Sequence, residues 1–120
     1  MGESFKDLTV WHRAVELSVA VYALTENFPR KEVFGLSNQL RRAAVSVPSN
    51  IAEGFGRGSR RDYVYFLTIA RGSVCEVETQ LIIARKLGFG IPRELTLAES
   101  LTSETGKMLN ALIRSLRQTK

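Results

Sequence analysis

Arginine is the residue type through which this chain can do chemistry, and its arginines are unevenly spread. Between positions 41 and 61 stand five of them (Arg41, Arg42, Arg57, Arg60, Arg61) against one carboxylate, Glu53. That segment therefore holds a surplus of four in a chain whose formal charge is +5. The loop Glu53-Gly-Phe-Gly-Arg-Gly-Ser-Arg-Arg61 joins glycines, which let backbone amides approach a ligand, to arginines at the start of a helix. Free amides and the helix dipole favour anions there, so the chemistry is contact with phosphate. A nucleotide pocket is not indicated. The loop lacks the Lys-Ser/Thr of a Walker sequence, and no strand precedes it as the dinucleotide fingerprint requires. A solvated turn is the plain alternative. Arg114, Arg117 and Lys120 add a second basic strip, explained equally by favourable charge at a helix C-terminus.

A second constellation is polar rather than basic. Gln39, Arg42, Ser46, Asn50 and Glu53 fall at steps of three, four, four and three, which places them on one helical face beside Ala43, Val47 and Ile51. With a turn near Arg57 and Gly58, residues whose numbers sum to about 115 face each other across an antiparallel pair. Arg42 is then expected near Ser73 and Glu76, and Glu53 near Arg61 and Asp62; Arg71 and Glu76 complete the set on the facing helix. Two readings stand: an interhelical seam that sets register, or a polar site at a subunit contact or exposed face.

Catalysis finds little support. His12 is the one histidine, next to Trp11, and Thr9 stands where a di-iron Glu-x-x-His motif needs its glutamate. One histidine and the distant Cys75 do not furnish three zinc ligands. Neither serine nor cysteine has an evident base. The expectation is a protein that is not an enzyme, with no metal and no cofactor.

The elements that position these residues are helices. With 44% hydrophobic and 24% charged residues over 120 positions, the composition is that of one globular domain, residues 1–120. The first helix is predicted over about Leu8–Asn27, capped by Asp7, with a stripe through Trp11, Ala14, Val15, Ser18, Val21, Tyr22, Thr25 and Phe28, and is ended by Pro29. The second spans about Phe34–Phe55, after which Gly54, Gly56 and Gly58 release the chain. Pro48 inside it costs about 3 kcal/mol in a regular helix, because an amide is lost and the ring strikes the carbonyl of Ala44. A kinked but continuous helix is favoured over a break, with Ser46 or Ser49 satisfying the freed carbonyl. The third opens at Ser59-Arg-Arg-Asp62 and closes at Gly88; the fourth begins between Pro92 and Thr96, with Thr96-Leu-Ala-Glu99 as a capping-box candidate. Short connections between long helices predict an all-α, antiparallel up-down-up-down four-helix bundle with its second helix kinked at Pro48. No apolar run approaches the ~18 residues of a membrane span. The polar start Met-Gly-Glu-Ser lacks a signal peptide's apolar core, Gly2 with Lys6 does not fit the myristoylation pattern, and a single cysteine excludes an internal disulfide. A cytoplasmic protein without membrane partners is expected.

Gln39–Arg57, together with Ala70-Arg-Gly-Ser73 and Glu76, closely resembles the bacterial four-helix-bundle proteins encoded within intervening sequences of 23S rRNA genes. The opening Leu8-Thr-Val-Trp11 with Ala14, the segment from Phe28-Pro29 to Glu32, and Gly35-Leu36 extend the resemblance over nearly the whole chain. The chain is also similar to the accessory protein of diversity-generating retroelements. The resemblance implies a ring-like homo-pentamer, and for the latter relative a basic barrel that partners a reverse transcriptase and nucleic acid.

Together with an isoelectric point near 9.8, these features point to a homo-oligomeric scaffold that meets RNA or DNA through phosphates. Candidate contacts are Arg41, Arg57, Arg60, Arg61, Arg114 and Arg117. Tyr63 and Tyr65 are the aromatics placed for base stacking. The alternative is a protein-interaction scaffold that does not bind nucleic acid directly and whose basic residues serve solubility or an acidic protein partner.

Overall fold

Apolar residues recurring at three- and four-residue steps do build four long helices. The computed structural model describes residues 4–118; Gly2 and Lys120, which entered the lipidation and basic-strip readings, lie outside the described residues. The helices are α1 (Thr9–Thr25), α2 (Leu36–Gly56), α3 (Arg60–Leu87) and α4 (Pro92–Gln118), and no strand occurs among the described residues. Cross-helix pairs show the helix directions. Ser18 meets Ala44 and Thr25 meets Arg41 between α1 and α2, while Arg71 meets Asn110 and Arg85 meets Glu99 between α3 and α4. Numbers rise on one helix as they fall on the other, so neighbours are antiparallel. Each helix packs on two others, in the ring α1–α2–α3–α4–α1.

The core is two apolar clusters stacked along the bundle axis. One gathers Leu17, Val21, Leu24, Leu40, Val77 and Leu81 toward the α1–α2 connection; the other gathers Val10, Val47, Ile51, Leu67, Leu109 and Ile113 toward the α2–α3 turn. Phe28 against Phe89, 5.5 Å between centroids, closes the first end.

Local details depart from expectation where several residues compete for one role. Asp7 does not cap α1. It belongs to a 3-10 turn, Phe5–Asp7, in which its carboxylate accepts the Ser4 amide and Ser4 Oγ accepts the Lys6 amide. The buried stripe of α1 is rotated onto Leu17 and Leu24, leaving Tyr22 exposed. This helix is apolar on nearly every side, so spacing alone did not select a face. Phe34 lies outside α2 and is 91% exposed. Gly54 does not release the chain; it is buried inside α2, and of Gly54, Gly56 and Gly58 only Gly58, at φ +85°, takes the left-handed turn conformation. Thr96 falls within α4 and caps nothing, while Glu99 instead bonds Arg85. Ser59 and Gly88 do cap α3 as predicted.

Helix α2 runs unbroken through Pro48. The carbonyl that Pro48 strands is Ala44's, and its donor is neither Ser46 nor Ser49. Ser18 Oγ reaches across from α1 and donates to it at 3.0 Å, sharing its proton with the Ala14 carbonyl at 3.1 Å.

Candidate nucleic-acid interface

The α2–α3 turn carries the sequence-predicted arginines. Ser59 Oγ accepts the Asp62 amide at 3.1 Å, and Asp62 places a carboxylate in the first turn of α3. That acidic group meets the helix dipole, so the amides here are already partly answered. Arg57 folds back: Nε donates to Glu53 Oε2 at 2.8 Å, and the guanidinium lies 4.9 Å from the Phe66 ring centroid. Arg60 and Arg61 are exposed. Arg61 has no ion-pair partner among the described residues and shares a shallow groove with Ser59, Asp62 and Tyr65. Tyr65 is 61% exposed, and its ring is open to a base. Tyr63 is not available for stacking. It is buried edge-on against Phe55, its hydroxyl has no partner among the described residues, and burial raises its phenol pKa.

A second basic site joins α3 to α4. Arg71, Arg114 and Arg117 line one groove of about 300 Å³ with Asn110, Ile113 and Gln118, and no carboxylate side chain among the described residues lines it. Arg71 Nη1 donates to Asn110 Oδ1 at 3.4 Å. Arg71 thus leaves the α2–α3 seam where it was expected and joins the basic strip of α4. Its membership depends on how α4 returns along α3, which no local pattern announces.

The α2–α3 seam itself is one turn out of the predicted register. Ser46 Oγ, not Arg42, meets Ser73 Oγ, at 2.8 Å, and Asn50 Nδ2 donates to the Ser46 carbonyl at 2.8 Å and to its hydroxyl at 2.9 Å. Glu53 pairs within its own helix with Arg57, not with Arg61 or Asp62. Gln39, Arg42 and Glu76 share an open groove of about 330 Å³ with Gln80. The turn sits closer to Ser59 than assumed, because Gly54 and Gly56 extend α2. Arg41 lies at the opposite end of the bundle from the turn. Its Nε donates to Thr25 Oγ1 at 2.7 Å, its guanidinium stacks 4.8 Å from the Tyr22 centroid, and Glu26 is 3.5 Å away. It clamps α1 to α2 and is not part of the arginine cluster.

His12 Nε2–H donates to the Lys6 carbonyl at 2.6 Å, tying α1 to the turn before it. Among the described residues no group of three His, Cys, Asp or Glu side chains is placed to hold a metal ion, and no helix is long and apolar enough to cross a membrane.

The family model for the 23S rRNA-intervening sequence protein matches residues 6–111. The chain belongs to that family. Among solved structures, it is similar to a protein of unknown function from the S23 ribosomal protein family of Bacteroides thetaiotaomicron. Identity is 24% and the TM-score 0.77, covering 88% of this chain and 98% of that one. At that identity the likeness shows the shared fold alone. No curated protein matches the chain. In this member of the family, the segment that carried the resemblance does structural work. Ser46 Oγ meets Ser73 Oγ between α2 and α3 while Asn50 holds Ser46 from within α2, Ser18 of α1 donates to the Ala44 carbonyl that Pro48 leaves without an amide, and Gly54 lets α2 and α3 approach.

Proposed function

We propose that this family member is a non-enzymatic, cytoplasmic, homo-oligomeric scaffold that binds RNA or DNA through phosphate contacts. The supporting observation is the gathering of guanidiniums at one end of the bundle. Arg61 projects from the turn, and Arg71, Arg114 and Arg117 share a groove that no carboxylate side chain of the described residues lines. Like charges held together without counter-ions repel, and an anionic partner relieves that repulsion. Phosphate contact of this kind reads charge and shape more than sequence, with Tyr65 as a stacking platform at the site. A pentameric ring repeats each weak site around its axis, so avidity multiplies affinity. Exposed Ile69, Ile82 and Ile83 on α3 supply apolar surface for contacts between copies.

The test is a salt series with structured RNA. Affinity falls steeply with rising salt, and the triple reversal Arg61→Glu, Arg114→Glu, Arg117→Glu flattens the slope by about three phosphate contacts per chain. An unchanged slope, or affinity indifferent to salt, overturns the reading. The protein-interaction reading draws on one observation, Phe34 and Val33 standing exposed at the α1–α2 connection. It predicts purified protein free of nucleic acid by its absorbance ratio at ~260 to ~280 nm, and an affinity for RNA no stronger than non-specific binding.

A further inference from the structure

A cleft of about 490 Å³ opens where α1 gives way to α2, at the end of the bundle opposite the α2–α3 turn. Three features converge on it. The first is the start of α2, which Gly35 leaves without a side-chain cap. Glu32 Oε1 accepts the Leu36 amide at 3.1 Å, but the amide of Ser37, the residue of this turn that lines the cleft, finds no acceptor among the described residues. Amides of a first helical turn point back along the axis and hold positive partial charge. The second is Ser37, which lines the cleft, is 5% exposed, and whose hydroxyl makes no hydrogen bond among the described residues. Its Oγ is not fully enclosed, so it is open to the cleft that the residue lines.

The third is a pair of arginines. Arg41, one turn beyond Ser37, is oriented by Thr25 and the Tyr22 ring before any ligand arrives. Its remaining contact, to Glu26, is long at 3.5 Å, and the Glu26 side chain is 74% exposed. That carboxylate also lines the cleft, and it is the group an incoming anion would have to displace. Arg30 lines the cleft and has no ion-pair partner among the described residues. Pro29 and Val33 add apolar wall.

We propose that this cleft binds a small ligand through a phosphate or carboxylate group, held by the hydroxyl and amide of Ser37, Arg41 and Arg30. Glu32 limits the site to one anionic group, because it already occupies the first amide. The site is separate from the basic end and does not depend on nucleic-acid binding.

The experiment is an amide NMR titration of the full chain with inorganic phosphate, run beside acetate and beside sodium chloride at matched ionic strength. Saturable shifts are expected at the Ser37 amide and at the Arg41 side-chain N–H, with millimolar affinity. Arg30→Gln weakens the response about ten-fold and Ser37→Ala about three-fold, since a charged and a neutral donor are lost respectively. A response to phosphate alone assigns a phosphate ligand, to acetate alone a carboxylate, and to both their shared anionic chemistry. Absence of saturable shifts at Ser37 up to about 50 mM of either anion overturns the proposal. So do shifts that chloride reproduces, or that both variants leave unchanged. The reporters lie at the end opposite Arg61, so this outcome and that of the RNA salt series are read independently.

Discussion

Ser18 illustrates how one side chain resolves a conflict written elsewhere in the chain. Pro48 deprives the Ala44 carbonyl of its helical amide, and a hydroxyl 26 positions earlier supplies the hydrogen bond. Ser18→Ala is expected to cost about 1 kcal/mol in urea denaturation, because a part-buried carbonyl is left without its donor. In a Pro48→Ala background the amide at position 48 returns, so the same substitution costs measurably less. Equal losses in both backgrounds would show that Ser18 acts through packing alone. The proline and the continuous helix were legible in the sequence. The donor was not, because Ser18 reads as one more member of an apolar stripe until the register of α1 against α2 is known.

Helix pairs set the next scale, and the α2–α3 pair depends on Gly54. A Cβ there would sit 2.7 Å from Phe66 Cβ and 3.2 Å from the Tyr63 carbonyl oxygen, so the two helices must move apart to admit it. Gly54→Ala therefore destabilises by about 1–2 kcal/mol, overpacking outweighing the gain in helix propensity. Gly56→Ala, with open space around its Cβ, gains up to about 1 kcal/mol. Thermal denaturation of the two variants should move in opposite directions, and a shared direction would contradict the close approach. On the α3–α4 pair, Arg85 donates two bonds to Glu99, at 2.9 and 2.8 Å, and holds that carboxyl below its ordinary 4.5. Between the lowered value and 4.5 the unfolded chain binds more protons than the folded one. The contribution is thus present above pH 4.5 and is lost as pH falls through the lowered value. The gap in melting temperature between the parent and Glu99→Gln should close on acidification from about pH 6 to about pH 3, and it will be small because the pair is partly exposed. A gap that widens on acidification would reverse the assigned sign.

The whole molecule is a rod of 48 × 21 × 20 Å whose two ends differ chemically. The α2–α3 turn and the last turns of α4 bring Arg61, Arg114 and Arg117 to one end, while Arg41, Arg30 and the open Ser37 amide of α2 stand at the other. Sedimentation should give five times the 13.4 kDa chain mass if the proposed pentamer forms, and a monomer at micromolar concentration would remove the avidity on which weak phosphate sites depend. Helix number, order and type, the Ser59 and Gly88 caps and the basic turn could all be read from the sequence, because hydrophobic period and capping chemistry act within a few residues. Only the tertiary structure decided which face of α1 is buried, that Arg71 joins Arg114 and Arg117, that Arg41 is a clamp, and that Ser18 answers Pro48. Each of these depends on the axial offset between two helices. That offset is set by close contacts such as Gly54 on Phe66, and a one-turn slip changes every partner while leaving the periodic pattern intact.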